Sequence, residues 1–232
     1  MPASAPTLVW DLPLRLVHWA LLGCFAGSWI TAELGFDWTT AHFRFGYATL
    51  TLVVFRLIWG FVGPTHARFT HFIKGPRAIL QHLRALLRND APASVGHNPL
   101  GAIAVLALLL ALLVQASSGL FISDDIFYAG PYNPAVSGAT ASLLAKVHHW
   151  NFRWLQLLVA LHLFAIAWYG FRQGHNLVKP MVTGRKDLSA AQRAAGISHS
   201  RFGIALLVGL AVGLALWLLL SNAPVPQYDD FG

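Results

Sequence analysis

The chain has 232 residues, of which 56% are hydrophobic and only 11% charged. Soluble domains carry about 25% charged residues, so this composition excludes an ordinary soluble fold and points to a membrane protein. The net charge of +7, from sixteen basic and nine acidic residues, then reads as loop charge on one side of a membrane rather than as a nucleic-acid surface. The single cysteine, Cys24, excludes a disulfide framework and a cysteine-based metal site within one chain.

Residues 1–13 lack the basic start of a signal peptide, so the first apolar segment, about Leu14–Ala32, is expected to remain as a membrane helix. Four more segments follow, at about His42–Val62, Leu100–Ile122, His148–Phe171 and Phe202–Leu220, and the third and fifth contain no charged residue. Runs of this length span a bilayer as helices, and none shows the period-two alternation of a strand. The expected fold is all-α: a four-helix transmembrane bundle within residues 1–186, then a fifth, C-terminal transmembrane helix and tail within 187–232. Strands are not expected.

Basic residues set the expected orientation. Arg68, Lys74, Arg77, Arg84 and Arg88 lie between the second and third segments, and Arg172, Lys179, Arg185, Lys186, Arg193 and Arg201 between the fourth and fifth. Glu33, Asp37, Asp124, Asp125, Asp229 and Asp230 fall on the other side, with Lys146 as the basic exception. The positive-inside rule places the N-terminus in the cytoplasm and the C-terminus in the periplasm of a bacterial inner-membrane protein. Within the first basic loop, Arg77–Arg88 intersperses leucines with arginines and reads as an amphipathic helix at the membrane interface. The loop 123–147, with Gly130-Pro131-Tyr132-Asn133-Pro134, is expected to be irregular. Gly23-x-x-x-Gly27 and Gly209-x-x-x-Gly213 match the small-residue motif of membrane helix packing.

Eleven histidines are many for so apolar a chain. Ionisable groups at membrane depth are costly and so suggest function. His148 and His162 are fourteen residues apart, which at about 100° and 1.5 Å per residue puts both on one helix face, about 21 Å apart. His149 points about 140° away from His162 on the same reckoning. The predicted topology matches His42 with His148 near the outer surface and His18 with His162 toward the cytoplasm. Two imidazoles fill both axial positions of a haem iron, which suits electron transfer. His18, His42, His148 and His162 are therefore the candidate metal ligands. Arg15, Arg44, Arg56 and Arg153 lie near them and are candidate partners for haem propionates. His66, His71, His82, His175 and His199 are expected to be solvated or headgroup-facing. His97 reads as structural, with Asn98 and Pro99 as N-cap and first residue of the third helix.

Several motifs together resemble a known family. Trp10-Asp11-Leu12-Pro13-Leu14-Arg15-Leu16-Val17-His18-Trp19, His42-Phe43-Arg44-Phe45-Gly46, Arg56-Leu57-Ile58-Trp59-Gly60-Phe61-Val62-Gly63, Gly96-His97-Asn98-Pro99, the His148/His162 helix and Met181-Val182-Thr183-Gly184 resemble the cytochrome b subunits of nickel–iron hydrogenases and the related b-561-type di-haem quinol oxidoreductases. The resemblance covers about residues 8–186. It implies two b haems in a four-helix core, with ligands at His18, His42, His148 and His162. It also implies electron transfer between the quinone pool and a redox partner, either a c-type cytochrome or a hydrogenase- or dehydrogenase-like subunit. The fifth segment has no counterpart in four-helix members and is a candidate for packing a partner subunit or a homodimer. Two other readings stand beside this one. In the first, the chain is a self-sufficient quinone oxidoreductase fed by a small soluble donor such as superoxide, with Arg44, Lys146 and Arg153 forming a basic entrance. In the second, it is a non-redox transporter that uses intramembrane histidines.

Overall fold

A computed structural model describes residues 4–88, 90, 94–124 and 128–224. The expected outer-side acids Asp125, Asp229 and Asp230 lie outside the described residues. The elements run β1 (Ala5–Leu8), α1 (Leu12–Leu34), α2 (Thr39–Val62), α3 (Phe69–Phe72), α4 (Pro76–Leu87), α5 (Pro99–Gly119), α6 (Gly138–Gln173), α7 (Val178–Thr183), β2 (Arg185–Leu188) and α8 (Phe202–Ser221). Four of the helices are long and apolar enough to cross a membrane: α2 with the turn before it (Phe36–Val62), α5, α6 and α8. Helix α1 has the length, at 23 residues, but Arg15, His18, Ser28, Thr31 and Glu33 dilute its apolar character, and it is not one of the four.

Two differences from the sequence reading stand out. Helix α6 begins at Gly138, ten residues before its predicted start, inside the loop expected to be irregular. Ser137 caps it: the Thr140 amide donates to Ser137 Oγ at 3.2 Å, and the alanine-rich stretch that follows propagates a helix readily. The second difference is a short antiparallel pair, with Ala5 opposite Leu188 and Leu8 opposite Arg185. It lies outside the apolar runs, and four residues are too few for alternation to show.

The chain forms two compact units. The first comprises Met1–Trp19, Arg56–Leu109 and Leu157–Val208; the second comprises Ala20–Phe55, Leu110–Gln156 and Gly209–Gly232. In the first unit the N-terminal segment is clasped from several directions. Val9 and Trp10 both donate their amides to the carbonyl of Gly184, and Ile197 donates to that of Leu8. Gly184 ends α7 with φ at +79°, a conformation open to glycine at little cost. Asp11 then caps α1, accepting the Leu14 amide at 3.0 Å on Oδ1. The same oxygen accepts Trp59 Nε1–H at 3.0 Å. Asp11 is 1% exposed and Trp59 fully buried, so a tryptophan on α2 supplies the hydrogen bond that a buried carboxylate needs.

Around this contact, Phe69 and Phe72 of α3 pack with Ala102 and Leu109 of α5. A Cβ on Gly60 would lie 2.0 Å from the Phe69 ring, so only glycine lets α3 seat there. His97 is wedged between Trp10 and Phe72, with ring centroids at 4.7 and 4.4 Å. Asn98 caps α5 through the Gly101 amide at 2.7 Å, as its sequence suggests. His66 and His82 are a correction to the expectation of solvated loop histidines, because both are buried. His66 Nε2 lies 2.8 Å from the carbonyl of Ala195. His82 Nε2 lies 3.0 Å from the hydroxyl of Tyr169. Each has found a polar partner far along the chain, which makes burial affordable.

In the second unit, Asn151 of α6 donates to the Ala111 carbonyl and to Gln115 Oε1 of α5, both at 2.8 Å. Phe152 packs against Phe25 and Trp29 of α1. Tyr132 donates its hydroxyl to the Leu219 carbonyl near the end of α8 at 2.8 Å. Of the two glycine motifs, Gly27 is the closely packed member, with the Phe45 ring 2.6 Å from where its Cβ would be.

Trp59→Phe keeps the shape of the α2 contact but leaves Asp11 without its indole donor. The variant should lose about 1–3 kcal/mol, read as a lower Tm of the detergent-solubilised protein. Burial also holds His97 neutral, with a pKa pushed down to about 3. The unfolded chain takes up this proton near pH 6.5, so the fold's advantage is complete above that pH and drains away as pH falls toward 3. Burial of Asp11 raises its pKa and works in the opposite sense. The two are separated by comparing Tm at pH 7.5 and pH 5 in wild type and His97→Leu, where the variant should lose less on acidification.

Candidate functional site

Among the described residues, each unit sets one histidine of α6 against a histidine of another long helix. In the first, His18 of α1 and His162 of α6 have ring centroids 6.4 Å apart, with planes inclined at 54°. In the second, His42 of α2 and His148 of α6 are also 6.4 Å apart, inclined at 67°. These are the two pairings suggested by depth in the sequence. Helix α6 is continuous from Gly138 to Gln173, so the fourteen-residue spacing turns both of its imidazoles to one face.

Anchoring differs among the four rings. His42 Nδ1 lies 2.9 Å from the carbonyl of Ser28. His148 Nδ1 lies 3.0 Å from the carbonyl of Gln115 and 3.2 Å from Ser118 Oγ. An Nδ1–H that donates to a carbonyl leaves the Nε2 lone pair free, which is how metal-binding imidazoles are oriented. A Cβ on Gly119 would come within 3.3 Å of His148 Cε1, so that glycine makes room for the ring. Gly46, one turn beyond His42, borders open space. His18 is braced edge-on by Trp19 at 5.3 Å, and its buried Nδ1 has no protein partner. His149 is turned back onto its own helix, with Nδ1 2.7 Å from the Ala145 carbonyl.

The four arginines divide evenly between the units. Arg56 is 6% exposed, lies over the Phe69 ring at 5.1 Å, and has an Nη1 without a hydrogen-bond partner. Arg15 donates through Nη1 to the carbonyl of Val182, while its buried Nε has no partner. In the second unit Arg44 and Arg153 are both exposed, and Arg153 lies over the Trp150 ring at 5.0 Å. Lys146 is exposed as well.

Gln115 and Ser118 are site residues that sequence reasoning passed over. Ser118 left a signal as a polar side chain in a largely apolar helix, whereas Gln115 meets His148 through its backbone carbonyl, which no side-chain pattern announces. His66 and Lys186 form part of the buried polar surroundings of His97, and burial lowers the pKa of each. Lys186 Nζ is held by the carbonyls of Ser94 and Val95.

Comparison with known proteins supplies the family. Residues 9–184 match the family described as prokaryotic cytochrome b561, a span that stops short of α8. A probable Ni/Fe-hydrogenase B-type cytochrome subunit of Azotobacter chroococcum mcd 1 is 23% identical over 207 residues, covering 76% of this chain and 86% of its own length. A protein of the same description from Bradyrhizobium diazoefficiens is 23% identical over 216 residues, covering 78% of this chain and 87% of its own. With the family matched over most of the chain and four helices apolar enough to cross a bilayer, the chain belongs to the prokaryotic cytochrome b561 family and is a multi-pass membrane cytochrome b of electron transfer.

Proposed function

We propose that the chain is a di-haem cytochrome b with one bis-histidine centre in each unit, His18/His162 in the first and His42/His148 in the second. The observation that carries this reading is the 6.4 Å between ring centroids in both pairs. A metal–imidazole bond is about 2 Å long and the coordinating nitrogen lies about 1.2 Å from its ring centre, so two imidazoles on opposite sides of one ion have centroids about 6.4 Å apart. Directly hydrogen-bonded rings would sit closer. The anchored Nδ1 atoms of His42 and His148 support the same assignment, since they leave Nε2 available to a metal. A haem ligated in this way supplies one-electron exchange at an iron without an open coordination position.

The protein's own groups have definable work. The carbonyls of Ser28 and Gln115 fix the tautomer and rotation of their histidines and raise the basicity of the coordinating nitrogen. Arg56, buried with a free Nη1, is the arginine best placed by its chemistry to hold a propionate carboxylate in the first unit. Arg15 offers a second, partly committed guanidinium. Arg44 and Arg153 would serve the second unit from exposed positions. Electrons would pass between the two centres and be exchanged with the quinone pool on one side and a redox protein on the other. A hydrogenase-like subunit is the favoured partner, because the two relatives are described as hydrogenase cytochrome subunits. The two basic loops support a cytoplasmic N-terminus.

Pyridine-haemochrome quantitation of the purified chain should give two b haems per polypeptide. His162→Ala should remove one and leave most of the other, and His148→Ala should do the same for its partner centre. One haem in the wild type, or an unchanged reduced spectrum in His162→Ala, would overturn the assignment. Arg56→Gln should keep both haems and lower the midpoint potential of one in a spectroscopic titration, because a positive charge near the iron favours the reduced form.

A further inference from the structure

Helix α4 presents three faces with three different characters. At about 100° per residue, His82 falls on one side, Leu80, Leu83 and Leu87 on the next, and Arg77, Arg84 and Arg88 beyond them. The first face is committed to the protein. His82 is buried, with Nε2 3.0 Å from the Tyr169 hydroxyl, and that hydroxyl also accepts Asn98 Nδ2–H at 2.9 Å. This contact fixes the rotation of α4 about its axis, so the outward direction of the other two faces is set by the fold. The leucines are 48%, 39% and 79% exposed, the three arginines are exposed, and α4 carries no acidic residue. Along the chain, α4 lies between α2 and α5, both long and apolar enough to cross a membrane, so it is tethered from both ends.

We infer that α4 docks on anionic phospholipid, with its leucine row in the acyl boundary and its arginine row on the headgroup phosphates. Charge complementarity decides the occupant. A row of leucines alone would suit any apolar surface, but a parallel row of arginines without a single acid matches a layer of phosphates. His82 and Tyr169 act as a lock that keeps both rows at the correct depth.

The test uses the full chain in nanodiscs of phosphatidylcholine and phosphatidylglycerol. A nitroxide at Leu87→Cys, in a Cys24→Ser background, should collide with oxygen more than with a water-soluble nickel chelate. A nitroxide at Gln81→Cys should show the reverse. The same preference at both sites overturns the proposal, and so does shielding of position 87 from both agents, which would mean that a protein covers the face. In native mass spectrometry, Arg77→Gln, Arg84→Gln and Arg88→Gln should each reduce phosphatidylglycerol retained relative to phosphatidylcholine by about fivefold. An unchanged ratio, or equal loss of both lipids, also overturns it.

Discussion

An imidazole at membrane depth is costly unless its polar nitrogens find partners, and this constraint shapes the second unit most visibly. Water is absent from the bilayer core, so a buried ring nitrogen left without a partner costs several kcal/mol, about what an unpaired polar group costs in hydrocarbon. His42 and His148 meet half of the requirement with backbone carbonyls of the neighbouring helices. The two rings lie with their centroids 6.4 Å apart, each with its Nε2 left over from these contacts. The Gln115 carbonyl, the Ser118 hydroxyl and the glycine beside His148 all bear on how that ring sits.

The first unit solves a related problem with more machinery. Asp11, Arg56, His66, His97 and Lys186 are all ionisable, and all are withdrawn from solvent to some degree. They are made tolerable by specific donors and acceptors: an indole for Asp11, an aromatic face for Arg56, and carbonyls for His66 and Lys186. His97 is the exception, since it is packed between aromatic rings and held neutral. Such a cluster confers little stability in itself, because desolvation consumes most of what the contacts return. Its value lies in fixing one geometry for the N-terminal segment, and with it the start of the helix that carries His18.

What could be read from the sequence was chiefly what depends on one helix at a time. Helical periodicity placed His148 and His162 on one face, and apolar length located the long helices to within a few residues, apart from the early start of α6. The Asn98-Pro99 cap is a local signal and was legible for that reason. Among contacts that cross long stretches of chain, only the histidine pairings were suggested, by matching the depth of each residue in its own helix; the rest were not. Trp59 meets Asp11 from 48 residues away, His82 meets Tyr169 from 87, and His66 meets Ala195 from 129. No local pattern announces such partners, so His66 and His82 looked like surface histidines. The β1–β2 pair escaped notice for the same reason.

The clasp on the N-terminal segment also imposes an order of events during synthesis. β1 leaves the ribosome well before its partner strand and the Gly184 carbonyl that receives Val9 and Trp10, which emerge only after α6 and α7. Until then residues 5–10 lack these partners, and α1 forms without the backbone carbonyls that later seat Arg15 and Trp19. Translation must therefore run through α6 and α7 before the first turn of the first helix can settle, and a nascent chain halted earlier would carry an unfastened beginning.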